Sequence, residues 1–158
     1  MKRVFDLLMA GFLLCFLSVP ILFVGLMAKL TSKGPLLYWS DRVGINNRIF
    51  RMSKFRTMIL DTPAVATHLM KNPDAYLTST GAFLRKFSLD ELPQLYSILN
   101  GDMSFVGPRP ALYNQDDLIG LRTGKGIHKL IPGITGWAQV NGRDELRFRS
   151  KLNLMSII

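Results

Sequence analysis

The chain has 158 residues, 48% of them hydrophobic, and a net charge of +9, so it is long enough for one domain with a modest core and an appended segment. That charge calls for an anionic partner: nucleic acid, anionic lipid headgroups or a phosphorylated substrate. A single cysteine, Cys15, inside an apolar run excludes a disulfide framework and a thiolate metal site, and two histidines far apart, His68 and His128, argue against a zinc centre.

The N-terminus opens Met1-Lys2-Arg3 and then carries no charge from Leu7 to Ala28, about 22 residues, enough to enter a bilayer. Asp6, the length of the run and the lack of a small-x-small site separate it from a cleaved signal. A buried soluble helix is the plain alternative, but Pro20 would break one this long. Lys2 and Arg3 precede the run and Lys29, Lys33 and Arg42 follow it, whereas a spanning helix is basic mainly on one side. The symmetry predicts a re-entrant hairpin bent at Ser18 and Pro20, with a straight single-pass span as the alternative.

Gly34-Pro35 marks a boundary. LLYWSDRVG and RIFRMSKFRTM, on either side of Asn46-Asn47, predict a β-hairpin whose second strand mixes Ile49 and Met52 with Arg48, Arg51, Lys54 and Arg56. Such a strand faces headgroups or a diphosphate, or is an edge strand protected by charge. Asp61-Thr62-Pro63 predicts a helix start running through Ala64, Val65, a surface His68 and Leu69 to Asn72-Pro73. A short helix is expected from Gly81 to Phe87, carrying Arg85.

Ser88, Leu89, Asp90 and Glu91 fit a capping box for a helix that stops at Asn100-Gly101, with Leu92, Leu95, Ile98 and Leu99 at helical spacing. This puts Asp90 in a first turn, where a carboxylate is stabilised and a phosphate attracted. Asp90 is then a candidate nucleophile toward phosphorus, or a ligand for magnesium, with Arg85, Lys86 and Arg109 to neutralise phosphoryl oxygens. An ordinary helix cap is the plain alternative. Pro108 and Pro110 stiffen the chain around Arg109, holding out a planar fork suited to phosphate, or making a surface turn. A further helix is expected over Asn114 to Thr123, with Leu118 and Leu121 inward. In IPGITGWAQVNGRDE, Gly133, Gly136 and Gly142 permit close approach, Trp137 offers a stacking face, and Gln139, Asn141 and Arg143 offer polar contacts. That composition suits a nucleotide or sugar, or a structural glycine loop. It is neither a Walker A loop nor a dinucleotide fingerprint.

KFRTM (Lys54 to Met58), SLDELPQL (Ser88 to Leu95), GDMSFVGPRP (Gly101 to Pro110) and PGITGWAQVNGR (Pro132 to Arg143), in that order, closely resemble the bacterial sugar transferases, the monotopic phosphoglycosyl transferases. The resemblance covers nearly the whole chain to about Leu146. It implies an α+β, mainly helical fold: a re-entrant membrane helix hairpin over residues 1–33 and a small cytoplasmic catalytic domain with a short β-hairpin over 34–146. It also implies magnesium-dependent transfer of a phosphosugar from a UDP-sugar to polyprenol (undecaprenyl) phosphate at the cytoplasmic face of the bacterial inner membrane, beginning capsule, O-antigen or exopolysaccharide assembly. Carried over by position, Asp90 is the nucleophile and lies at the magnesium site, Glu91 completes the acidic pair, and Lys54, Arg85, Arg109 and Arg143 hold phosphates or nucleotide. An in-line displacement of this kind asks for an exposed carboxylate with a metal and several cations close by.

Two departures qualify the match. The Ser-Pro of the family's membrane bend is Ser18-Val19-Pro20 here, and residues 147–158, from Arg147-Phe148-Arg149 to Ile158, read as an atypical, truncated or frame-shifted ending. The competing reading is therefore a truncated, inactive basic module on the membrane that binds anionic lipid or a protein partner. A nucleic-acid binder ranks third, because no basic-aromatic pattern matches a known module.

Overall fold

The computed structural model describes residues 1–63, 70 and 72–140, with backbone alone at Trp137 and Ala138. It is an α+β protein, as the sequence predicts, and its helical and sheet elements meet around two small apolar cores.

Two apolar helices open the chain. Helix α1 (Lys2–Phe16) and helix α2 (Ser18–Thr31) meet at Leu17 with a bend of 67°. Pro20 has no N–H to donate to the Phe16 carbonyl, and Ser18 Oγ donates to the Cys15 carbonyl at 2.8 Å, so the ladder breaks where the sequence places the bend. No single helix is long and apolar enough to cross a membrane, although the bent pair passes that test together. Leu8, Phe12, Phe16, Leu22, Phe23 and Leu26 remain exposed along the outside.

The inner stripe of the pair is committed to the domain. Ala10 of α1 packs with Met52, Leu95, Ile98 and Met103, while Val24 and Ala28 of α2 pack with Phe55 and Leu84. The charges at the start of α1 are spent on this docking. Lys2 Nζ donates to the Val106 carbonyl at 2.8 Å, Arg3 donates to the carbonyls of Ile98 and Leu99, and buried Asp6 accepts from the Phe105 amide at 3.2 Å.

The predicted hairpin is present. Strands β1 (Leu37–Val43) and β2 (Ile49–Phe55) pair antiparallel from Leu37↔Phe55 to Val43↔Ile49, and the turn between them holds Asn46 and Asn47 in the left-handed region at φ 52° and 59°. Asparagine tolerates that region better than other residues with a β-carbon. Ile59 to Thr62 forms a turn, in which Thr62 Oγ1 donates to the Ile59 carbonyl at 2.7 Å; the helix expected beyond it, with His68 and Leu69, falls outside the described residues. Helix α3 (Gly81–Lys86) follows as expected.

The segment after it departs from the sequence reading. Ser88 adopts a left-handed conformation, φ 56°, and its side chain makes no capping bond, so there is no capping box. Instead of one helix from Ser88 to Asn100 there is a single 3-10 turn, Leu89–Glu91, and then helix α4 (Gln94–Asn100), which starts only after Pro93. Pro93 cannot donate to the Leu89 carbonyl, which separates the two. At the far end Gly101, φ 93°, stops α4 as predicted, and Arg3 covers its last carbonyls.

Strand β3 (Ser104–Val106) leads into the Pro108-Arg109-Pro110 segment and strand β4 (Ala111–Leu112) leaves it. β4 pairs with β1 through Arg42↔Leu112, giving the order β2-β1-β4. Helix α5 (Asp116–Gly124) then turns back. Leu118 is half-buried, as is Ile119 beside it, but Leu121, expected inward, is 44% exposed. Strand β5 (Gly133–Thr135) lies parallel to β3, followed by the short helix α6 (Trp137–Val140). A β-carbon on Gly133 would stand 2.1 Å from the Gly107 amide nitrogen, and one on Gly136 2.3 Å from the Gly107 carbonyl oxygen. Both glycines are thus required by backbone crossing, which is the structural alternative for that loop; Asn141, Gly142 and Arg143 lie outside the described residues.

Candidate active site

Three segments converge on the acidic pair. β2 delivers Lys54 in a regular ladder. The Leu89–Glu91 turn delivers Asp90 and Glu91, held to β2 by Ser53 Oγ donating to the Pro93 carbonyl at 3.2 Å. The Pro-Arg-Pro segment delivers Arg109 as a bridge between the two sheets. On its β3 side the Gly107 amide donates to the Thr135 carbonyl at 2.9 Å and the Gly133 amide to the Pro108 carbonyl at 3.0 Å; on the other side the chain runs straight into β4.

Glu91 is the organising group. Its Oε1 accepts from Lys54 Nζ at 2.6 Å and from Arg109 Nη2 at 3.1 Å. Burial alone would raise the Glu91 pKa, but the charges and hydrogen bonds of Lys54 and Arg109 outweigh it and bring the carboxyl down to about 2. Lys54 is pushed down from the usual lysine range by burial, with Arg109 adding to the fall and Glu91 opposing it.

Asp90 differs from the exposed carboxylate that the reaction chemistry suggests. It is 5% exposed, and its pKa is raised, first by burial and then by the neighbouring Glu91 charge; Lys54 and Arg85 pull the other way. Among the described residues it forms no salt bridge. The sharp left-handed turn at Ser88 places it there rather than on the rim of a helix.

Arg85 comes from α3, and its Nε donates to Thr57 Oγ1 at 3.1 Å. The start of α3 also lies tight against Thr57, since a β-carbon on Gly81 would meet the Thr57 carbonyl at 2.2 Å. Arg109 is 37% exposed at its side chain and uses one nitrogen on Glu91, which leaves the rest of its fork for a ligand. The remaining expected cation, Arg143, is outside the described residues. Two residues of this neighbourhood were not picked out as site residues by sequence reasoning, Thr57 and Arg42. Thr57 stands inside KFRTM and was legible as part of that motif, whereas Arg42 read only as a flanking charge.

Lys54, Arg85, Arg109 and Arg42 thus surround two carboxylates, one of which burial favours in its neutral form. The excess of positive charge under partial burial suits an anion with several oxygens. Among the described residues no group of three histidine, cysteine, aspartate or glutamate side chains is placed to cage a metal ion. The family described as bacterial sugar transferase matches residues 1–156. The uncharacterized sugar transferase EpsL of Bacillus subtilis is 44% identical over 98% of this chain and 75% of its own length. An undecaprenyl-phosphate glucose phosphotransferase of Komagataeibacter xylinus is 42% identical over 96% of this chain, and the UDP-glucose:undecaprenyl-phosphate glucose-1-phosphate transferase of Escherichia coli is 40% identical over 90%. The chain spans 30% and 31% of the length of those two. On the extent of that match and the identity to EpsL, the chain belongs to the bacterial sugar transferase family.

Proposed function

We propose that this chain transfers a sugar 1-phosphate from a UDP-sugar to a membrane polyprenol phosphate, with Asp90 as the nucleophile. The observation that carries the reading is the division of labour in the acidic pair. Glu91 is tied down by Lys54 and Arg109, and Asp90 beside it has no ion-pair partner among the described residues yet feels the fields of Lys54 and Arg85. One carboxylate builds the site and the other is left for chemistry.

In the first step an Asp90 carboxylate oxygen forms a bond to the β-phosphorus, and the bond from that phosphorus to the bridging oxygen breaks. UMP leaves with the oxygen and its electron pair. In the second step an oxygen of polyprenol phosphate attacks the same phosphorus and releases Asp90. Arg109 and Arg85 neutralise phosphoryl oxygens that would otherwise repel the carboxylate, and burial removes the water that would screen these charges. Magnesium fits this donor set in one way: Asp90 would hold it, because Glu91 is already engaged. When bound, it supplies further neutralisation of phosphoryl charge.

The bent helix pair supports a re-entrant anchor in the bacterial inner membrane, with the catalytic domain at the cytoplasmic face. Both ends return to the same domain: Lys2 bonds to the Val106 carbonyl, and Thr31 Oγ1 lies 2.6 Å from Thr80 Oγ1 at the start of α3. The relatives named for glucose transfer make UDP-glucose the first donor to try.

The test is incubation of the full chain in lipid with magnesium, polyprenol phosphate and a panel of UDP-sugars. UMP release and transient labelling of the protein by sugar phosphate are expected, and both disappear in Asp90→Asn. Undiminished release by Asp90→Asn overturns the nucleophile assignment. Absence of release with every donor favours a non-catalytic membrane module, a reading the family match and the charge cluster do not favour.

A further inference from the structure

Arg42 is the last residue but one of β1, the central strand of its sheet, opposite Phe50 on β2 and opposite Leu112 on β4. Its Nε donates to Ser40 Oγ at 3.0 Å and its Nη1 to the Pro110 carbonyl at 3.4 Å, so the guanidinium lies against the backbone that carries Arg109. Those are its partners among the described residues, where no carboxylate pairs with it, since the nearby Glu91 is taken by Lys54 and Arg109. Burying a guanidinium beside a second one, with only a hydroxyl and a carbonyl to accept, is unfavourable unless something anionic completes the arrangement. A bare bracing role asks for none of that charge. A neutral donor of similar length would hold the Pro110 carbonyl without repelling Arg109.

The geometry points to Arg42 as a second phosphate-binding arginine of the site, gripping the same phosphate group as Arg109. This rests on the transferase reading above. Two forks from adjoining strands, one rooted in β1 and one in the turn into β4, give a phosphate more donors than Arg109 alone, which spends part of its own fork on Glu91. The phosphate belongs either to the sugar nucleotide or to the lipid acceptor.

Inorganic diphosphate is the probe, applied to the full chain in lipid, with thermal unfolding as the first readout. Diphosphate is expected to raise the unfolding midpoint of the wild type and of Asp90→Asn. In Arg42→Gln the ligand-free midpoint is expected to stay level and the diphosphate shift to vanish, and Arg42→Lys recovers part of it. In steady state, Arg42→Gln is expected to raise KM at least tenfold for one substrate with a smaller change in kcat. A rise for the UDP-sugar assigns the donor phosphate, and a rise for polyprenol phosphate assigns the acceptor. A full diphosphate shift in Arg42→Gln, or a fall in kcat with both KM values unchanged, reduces Arg42 to a brace for Pro110 and overturns the inference. So does a wild type that diphosphate fails to stabilise. If wild type releases no UMP while its diphosphate shift still depends on Arg42, the transferase reading fails and the anion site stands.

Discussion

The cations and the carboxylates of the site are mounted on different kinds of structure. Lys54 and Arg42 ride the β1–β2 ladder, where each neighbour is fixed by regular pairing. Asp90 and Glu91 ride one 3-10 turn between two short helices, entered through a strained left-handed serine. The ladder is held by its own backbone pairing, whereas the turn is tied to it by side chains: Ser53 and Lys54 reach across from β2 to hold Pro93 and Glu91. Charge pairing at Glu91 is therefore part of what folds the turn as well as part of what the turn presents.

Cutting that tie gives the largest expected effect. Glu91→Gln leaves the Lys54 ammonium buried beside Arg109 without its counter-charge, a loss of about 3 to 5 kcal/mol. Replacing both partners, Lys54→Met with Glu91→Leu, should recover much of this in denaturant unfolding while activity stays lost. The pH dependence has a definite sign. With its folded pKa brought down to about 2, Glu91 contributes stability above its ordinary carboxylate range that is lost as pH falls from there through about 2, and Glu91→Gln should flatten that limb. A smaller effect is expected on the α3 side of the turn. Gly81→Ala puts a β-carbon onto the Thr57 carbonyl, costs about 1 to 3 kcal/mol by overpacking, and weakens Arg85 more than Lys54. At the anchor, Arg3→Leu removes two charged hydrogen bonds to the end of α4, about 1.5 kcal/mol by the same unfolding measurement.

The sequence carried the ladder more faithfully than the turn, and the reason is physical. Asn46-Asn47 between two alternating runs has few other solutions, and Gly101 after Asn100 can only stop a helix. The capping box at Ser88 was misleading because Ser-x-x-Glu is a local signal, and it lost to a tertiary one: Glu91 gains more from Lys54 and Arg109 than from the Ser88 amide. Likewise Lys2, Arg3 and Asp6 read as flanks of an apolar run, since nothing local says that Val106, Ile98, Leu99 and Phe105 will lie beside them. Arg42 went unmarked for the same reason. Its meaning comes from Pro110, which is distant in sequence and adjacent only once β4 has paired with β1.

Asp90→Asn carries the smallest effect on stability and the sharpest separation between the two carboxylates. Burial and the Glu91 charge raise the Asp90 pKa, so above its ordinary value the folded state holds a proton that the unfolded state has already released. Stability from this group therefore falls as pH rises from the ordinary aspartate value through the raised one, the opposite slope to Glu91. An amide at this position carries no charge to desolvate, and Asp90→Asn should raise the unfolding midpoint at neutral pH by a few degrees, about what 1 kcal/mol gives a domain of this size. A variant that is more stable and yet inert sets Asp90 apart from Glu91, whose loss costs both stability and activity. A fall in the midpoint of Asp90→Asn would instead mean that its carboxylate is a structural partner of Lys54 and Arg85 in the resting protein, and the two acids would no longer divide the work.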